Sequence, residues 1–215
     1  GMNTVDQAAQ LADEGLAYGP DVVLLGFVLN DSEDAQAAET RRVEDWVRER
    51  EARPGVLDRS ALFRLVAGRV RATMENRRRI TGYRSMYAPN APGWVASRDA
   101  LARMGALCRE RGVPFVVAIF PLFGNPLDDS YPFTEVHATV AQAAAAAGAR
   151  VVDLLPAYRG LRWDLLVVDG VDDEHPNEIA HRIAAQALLK ALDDVIPSTG
   201  AAPAAPEDGH EPPRR

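Results

Sequence analysis

The sequence predicts an α/β sandwich built around a mainly parallel sheet. Residues 21–28 and 113–120 are nearly continuous apolar runs, which is typical of strands that are buried on both faces. Segments with helical spacing of apolar residues alternate with these runs along the chain. Such alternation places helices against a parallel sheet rather than building an all-β or all-helical domain.

The remaining elements follow from apolar spacing and from glycine and proline stop signals. We predict helices over residues 4–18, 33–53, 60–79, 95–111, 134–147 and 176–192, and a short strand over residues 150–153. Residues 1–196 form the predicted domain, with a helical insertion at about 33–95. Residues 197–215 are rich in proline and alanine and contain no large apolar side chain, so we expect a disordered tail.

Composition excludes several classes of function. The chain has 215 residues, of which 47% are hydrophobic, and its formal net charge is −7. That charge argues against nucleic acid or an anionic membrane as the main partner. No apolar run approaches the ~18 residues that a membrane span needs, and no secretory signal is visible. Cys108 is the single cysteine, so no internal disulfide or cysteine-rich metal site is expected, and no cofactor motif is present.

Asn30 and Asp31 directly follow the first apolar run. In an open parallel sheet, ligands bind beyond the carboxyl ends of the strands, and an asparagine amide there can donate a hydrogen bond to a developing oxyanion. A turn or a cap for the following segment is an equally good interpretation of the pair.

Asp172 and His175 form the second constellation, in Asp172-Asp173-Glu174-His175-Pro176-Asn177. A histidine that acts as general base needs a carboxylate to hold one tautomer, and the spacing lets Asp172 fold back on the ring. The alternative is an acidic surface cluster that caps a helix beginning at Pro176. His137 opens an alanine-rich helix, His181 lies on the closing helix and His210 in the tail, so His175 is the candidate base.

These two segments resemble the third and fifth sequence blocks of the SGNH (GDSL-type) hydrolases. The stretch Gly26-Phe27-Val28-Leu29-Asn30-Asp31 is a relaxed form of the third block, with two additional residues, and the Asp-x-x-His-Pro of the fifth block is intact. The resemblance covers about residues 1–192 and implies a flavodoxin-like, three-layer α/β/α fold that hydrolyses esters or thioesters without a metal. It implies His175 as base, Asp172 as its orienter, and Asn30 with the Gly1 backbone N–H as oxyanion donors.

The first block of that family, a Gly-Asp-Ser, is missing from the sequence, and so the family's N-terminal strands are also expected to be missing. None of Ser32, Ser60, Ser85, Ser97, Ser130 or Ser198 lies in a context typical of a nucleophile, so the nucleophile is unknown. The missing central strand would leave the sheet open to solvent or to pairing.

Three functions are therefore compared. The first is an ester hydrolase acting on a small-molecule ester, truncated before its serine. The second is a non-catalytic binding module, which forms a homo-oligomer or completes its sheet with another chain. The third is a metal-dependent hydrolase whose ligands are Asp31, Asp172, Asp173 and His175.

Overall fold

A three-stranded parallel sheet forms the centre of the fold. The computed structural model describes residues 2–32, 61–169 and 173–195. In this part of the chain, β1 (Val23–Phe27), β2 (Phe115–Ile119) and β3 (Arg150–Asp153) lie in the order β1-β2-β3. Leu25 is in register with Val117, and Ala118 with Val152. The prediction of a mixed α/β fold with a parallel sheet is confirmed.

Six α-helices accompany the sheet in the described residues. They are α1 (Thr4–Asp13), α2 (Ala61–Met86), α3 (Pro92–Arg111), α4 (Thr134–Ala146), α5 (Leu155–Tyr158) and α6 (Glu178–Ala191). Local sequence explains several ends. Asn3 and Asp6 cap α1 reciprocally, and Gly112 ends α3 in the left-handed conformation, at φ 66°.

The core lies around β2, all five residues of which are buried. Large side chains from neighbouring elements that are fully buried against it include Phe27, Leu101, Met104, Phe133 and Tyr158. Cys108 is also buried, as expected of a packing residue. Helix α3 approaches the end of α4 so closely that a Cβ on Gly105 would lie 2.0 Å from the Ala147 carbonyl oxygen.

Strand β1 differs from its prediction. Burial on both faces is wrong for this strand, because Leu24 is 49% exposed and Gly26 is exposed on one face, whereas Leu25 and Phe27 are buried on the other. The strand also lies at the edge of the described sheet. The apolar run predicts a strand correctly, but it does not reveal that one side of the strand lacks a neighbour.

The end of the chain contains a hairpin that the sequence analysis missed. Strand β4 (Val167–Asp169) pairs antiparallel with β5 (Asp173–Pro176), so Pro176 ends a strand instead of beginning a helix. The closing helix begins at Glu178, because the Asn177 side chain accepts hydrogen bonds from the N–H groups of Ile179 and Ala180. The prediction of helix 60–79 is too short, since α2 continues to Met86.

Two predicted segments, the helix at 33–53 and the tail at 197–215, lie outside the described residues. Within the described ranges, no helix is both long and apolar enough to cross a membrane.

Candidate active site

The carboxyl ends of the three parallel strands lie on the same side of the sheet. The Phe120 N–H donates to the Phe27 carbonyl at 2.9 Å, and the Leu154 N–H donates to the Ile119 carbonyl at 3.0 Å. The segments that follow β1, β2 and β3 therefore begin side by side. In an open parallel sheet, ligands bind beyond these carboxyl ends of the strands.

A tight turn after β1 presents Asn30 to solvent. The Asp31 N–H donates to the Val28 carbonyl at 2.9 Å, and the Val28 N–H donates to Asp31 Oδ2 at 3.0 Å. Leu29 is fully buried, and its carbonyl accepts a hydrogen bond from the Tyr87 hydroxyl at 2.8 Å. The turn is therefore anchored on both sides of Asn30, whose side chain is exposed at the carboxyl end of β1.

The Asp31 carboxyl is a weaker acid than an ordinary aspartate. Burial raises its pKa from 3.8 to about 6, while the hydrogen bond from the Val28 N–H acts in the opposite direction. A carboxyl group that titrates near neutral pH beside a strand end is a feature of functional sites. The turn interpretation is thus correct for Asp31, and the same turn leaves Asn30 available to a ligand.

His175 lies on β5 and is exposed. Asn177 fixes the end of this strand, since its N–H donates to the Leu166 carbonyl and its side-chain amide donates to the carbonyls of Leu165 and Val167. The histidine is therefore carried by a hairpin whose connection to α6 is held by several hydrogen bonds.

The residue before the histidine ties this hairpin to the sheet. Arg79 of α2 forms an ion pair with the Glu174 carboxylate at 3.1 Å and also donates to the Gly124 carbonyl at 3.2 Å. Gly124 has φ +82°, and a Cβ at this position would lie 2.2 Å from a Glu174 carboxylate oxygen. Asn125 is buried and donates to the carbonyls of Leu122 and Phe123, which fixes the same loop.

A second polar cluster was missed by the sequence analysis. His137 is 1% exposed, and its Nδ1 lies 2.8 Å from Asp153 Oδ1 at the end of β3. Its Nε2 lies 3.2 Å from the Tyr131 hydroxyl, which accepts a hydrogen bond from the Leu122 N–H at 2.8 Å. The Tyr131 hydroxyl can therefore donate to Nε2 of His137, while the Nδ1–H of His137 donates to the Asp153 carboxylate.

This cluster has a structural role in the loop that follows β2. Burial by itself raises the pKa of Asp153, but the hydrogen bonds from His137 and from the Leu155 N–H together hold it below its ordinary value. A histidine on the apolar face of a helix, with an aspartate ending a nearby strand, is the signal in the sequence that could have identified the pair.

The structure brings only part of the predicted site into view. Asn30 and His175 are described, whereas Gly1 and Asp172 lie outside the described residues, as do Ser60 and Ser198. Of the serines that are described, Ser32 and Ser97 are buried, Ser85 donates to the Gly82 carbonyl, and Ser130 contacts Asp128.

The metal site that the third hypothesis requires gains no support from the described residues. No group of three or more histidine, cysteine, aspartate or glutamate side chains there could hold a metal ion. Two of the four proposed ligands, Asp172 and the side chain of Asp173, lie outside this description.

Comparison with known proteins gives no match. No family model matches the sequence, and no curated protein or solved structure is significantly similar to it.

Proposed function

We propose that this chain carries the base and oxyanion side of an SGNH-type ester hydrolase. In this proposal the sheet belongs to a flavodoxin-like α/β/α fold, His175 is the general base and Asp172 orients it. Asn30 and the Gly1 N–H donate to the oxyanion. The substrate is an acyl ester, a thioester or an acetylated sugar, and no cofactor takes part.

The contact between Glu174 and the loop after β2 is the observation that supports this proposal. Glu174 is next to His175, and its carboxylate meets Arg79 and Gly124. Gly124 lies in the loop after β2, and Asn30 lies in the turn after β1. Because β2 is the neighbour of β1, the hairpin that carries His175 is held near the carboxyl ends of the strands, where Asn30 is exposed. A base and an amide donor at one strand edge are the groups that acyl transfer requires.

The reaction in this proposal begins with a serine Oγ attacking the carbonyl carbon, while His175 accepts the hydroxyl proton. The negative charge that develops on the carbonyl oxygen is stabilised by the Asn30 amide. His175 then returns the proton to the leaving alcohol, and a water molecule, activated by the same histidine, hydrolyses the acyl-enzyme. The serine is proposed to lie outside residues 1–215, in a Gly-Asp-Ser segment.

The experiment reads the gene in frame upstream of the Met2 codon and expresses the extended protein. We expect a Gly-Asp-Ser in that reading frame and hydrolysis of p-nitrophenyl acetate. His175→Ala should lower kcat by at least ~10³-fold. Asn30→Ala should lower it by ~10²-fold. His181→Ala is the matched control, because His181 is a second histidine close to β2, with its ring 6.4 Å from that of Phe120.

Two outcomes would reject the proposal. A stop codon directly upstream would favour the non-catalytic binding module. An active extended protein in which His175→Ala hydrolyses the ester at the wild-type rate would remove this histidine from the mechanism.

A further inference from the structure

Arg79 joins three segments of the chain through the two ends of its guanidinium group. Its Nη1 donates to Glu174 Oε2 at 3.1 Å and to Oε1 at 3.2 Å, next to His175 in β5. Its Nη2 donates to the Gly124 carbonyl at 3.2 Å and to Asn125 Oδ1 at 3.4 Å, in the loop after β2. A guanidinium holds its donors in a rigid planar fork, so one group sets the spacing between the loop and the hairpin.

The acceptors of this fork are themselves fixed. The Glu174 carboxylate packs directly on the backbone of Gly124, where a Cβ would lie 2.2 Å from its Oε1. Asn125 is 2% exposed, and its amide donates to two carbonyls of its own loop, at 3.1 and 3.3 Å. The Oδ1 of Asn125 is therefore held in place to accept from Arg79.

The helix that carries the arginine is anchored as well. On α2, Arg84 donates through Nε and Nη2 to the Pro132 carbonyl, at 3.1 and 2.8 Å. The Tyr83 ring meets the Phe133 ring edge to face, with centroids 5.5 Å apart. The carboxyl-terminal part of α2 is thus fixed to the segment before α4, and Arg79 reaches the hairpin from a stable base.

The two ends of the hairpin are held in different ways. Its base is apolar, since Leu166 and Val167 are only 3% and 5% exposed. Glu174 and His175 are exposed, so burial contributes less to their placement. An isolated, partly exposed ion pair contributes little to stability, but a bidentate contact within a network of hydrogen bonds is an exception. The contact with Arg79 is such a network, and it acts on the residue next to the histidine.

We infer that Arg79 is a positioning residue for His175 and acts through Glu174. The inference rests on the proposed ester hydrolysis, in which His175 must lie within hydrogen-bond reach of the serine hydroxyl. A displacement of about 1 Å in a catalytic group can lower the rate ~10²-fold. Arg79 belongs to the stretch that the family resemblance leaves as a helical insertion, so the insertion supplies part of the site.

The first test measures amide hydrogen exchange in the 215-residue chain, which needs no catalytic activity. Arg79→Met keeps the aliphatic stem and removes the fork. We expect the amides of β4 and β5 to exchange about tenfold faster, and those of β2 to change less than about threefold, because the hairpin opens locally. Arg84→Met is the matched control, since Arg84 also donates twice to a loop but has no hydrogen bond to the hairpin. It should leave hairpin exchange within about threefold of wild type.

Two outcomes of the exchange measurement would overturn the inference. Unchanged exchange of β4 and β5 in Arg79→Met would show that the arginine does not hold the hairpin. An equal increase in β2 and in the hairpin would show that Arg79 only stabilises the fold as a whole.

The second test compares kcat and KM for p-nitrophenyl acetate in the extended protein. Arg79→Met should lower kcat about tenfold and change KM less than about twofold, because the base is misplaced while substrate binding is retained. Glu174→Ala should do the same, and the double variant should be no slower than either single variant, since both remove one contact. Multiplicative losses in the double variant would show that Arg79 does not act through Glu174.

The two tests separate this inference from the proposed function. An extended wild-type protein that does not hydrolyse the ester would reject the proposed function, and hydrogen exchange would still decide whether Arg79 holds the hairpin. An active wild type in which Arg79→Met retains its kcat would overturn the positioning role and leave ester hydrolysis in place.

Discussion

Replacement of Asp31 by asparagine should stabilise the protein in a pH-dependent way. Burial raises the pKa of this carboxyl from 3.8 to about 6, so folding favours its protonated form. A pKa shift of about two units corresponds to ~3 kcal/mol in the free energy of unfolding, and this stability is lost when the Asp31 carboxyl is ionised. Below the pKa of about 4 that the carboxyl has in the unfolded chain, it is protonated in both the folded and the unfolded state, and no stability is lost. The loss grows as the pH rises towards the folded value and is complete above it.

The measurement is urea unfolding at pH 8 and pH 4, with wild type, Asp31→Asn and Asp13→Asn compared. Asparagine keeps an oxygen that can accept from the Val28 N–H, so the first variant should gain about 2–3 kcal/mol at pH 8 and almost nothing at pH 4. Asp13 is exposed, so its variant should change little at either pH. An equal gain at both pH values would refute the burial argument.

Three further predictions concern packing and buried polar contacts, each measured by urea unfolding. Gly105→Ala should cost about 2–3 kcal/mol, because the new Cβ would lie 2.0 Å from the Ala147 carbonyl oxygen. In its control, Gly82→Ala, the new Cβ lies in a helix and meets nothing within 4 Å among the described residues, so the variant should gain about 0.5–1 kcal/mol. His137→Phe should cost about 2–4 kcal/mol, since it leaves its carboxylate and phenol partners without their shared hydrogen-bond partner. Asn177→Ala should cost about 1–3 kcal/mol, because it removes the helix cap and two bonds to carbonyls; wild-type stability in this variant would contradict the capping role.

The periodic elements were the part of the fold that sequence could predict. The strand at Phe115–Ile119 and the helix at Thr134–Ala146 follow from apolar pattern and from terminal glycine, because burial and local backbone preference act in the same direction there. Strand β5 was missed because Asp173–Pro176 contains no apolar residue except proline. Its pairing depends on β4, which sequence pattern does not report.

The site was predictable only where a residue follows a recognisable strand. Asn30 and Asp31 were placed correctly at the carboxyl end of β1, since that position depends on the strand alone. The pair of His137 and Asp153 was not found, because its two members come from different elements and meet only through tertiary packing. The ion pair of Arg79 with Glu174 has the same origin, since its two members lie 95 positions apart in the chain.

The turn at residues 28–31 connects strand β1 to the exposed Asn30 of the proposed site. The Asp31 carboxylate accepts a hydrogen bond from the Val28 N–H at 3.0 Å, and Leu29 between them is fully buried. Because this carboxylate holds the turn, Asp31→Ala should loosen Asn30, whereas Asp31→Asn keeps the acceptor. In the extended protein the alanine variant should therefore lower kcat while the asparagine variant does not. A kcat unchanged in both variants would separate the turn from the chemistry and leave Asp31 with a purely structural role.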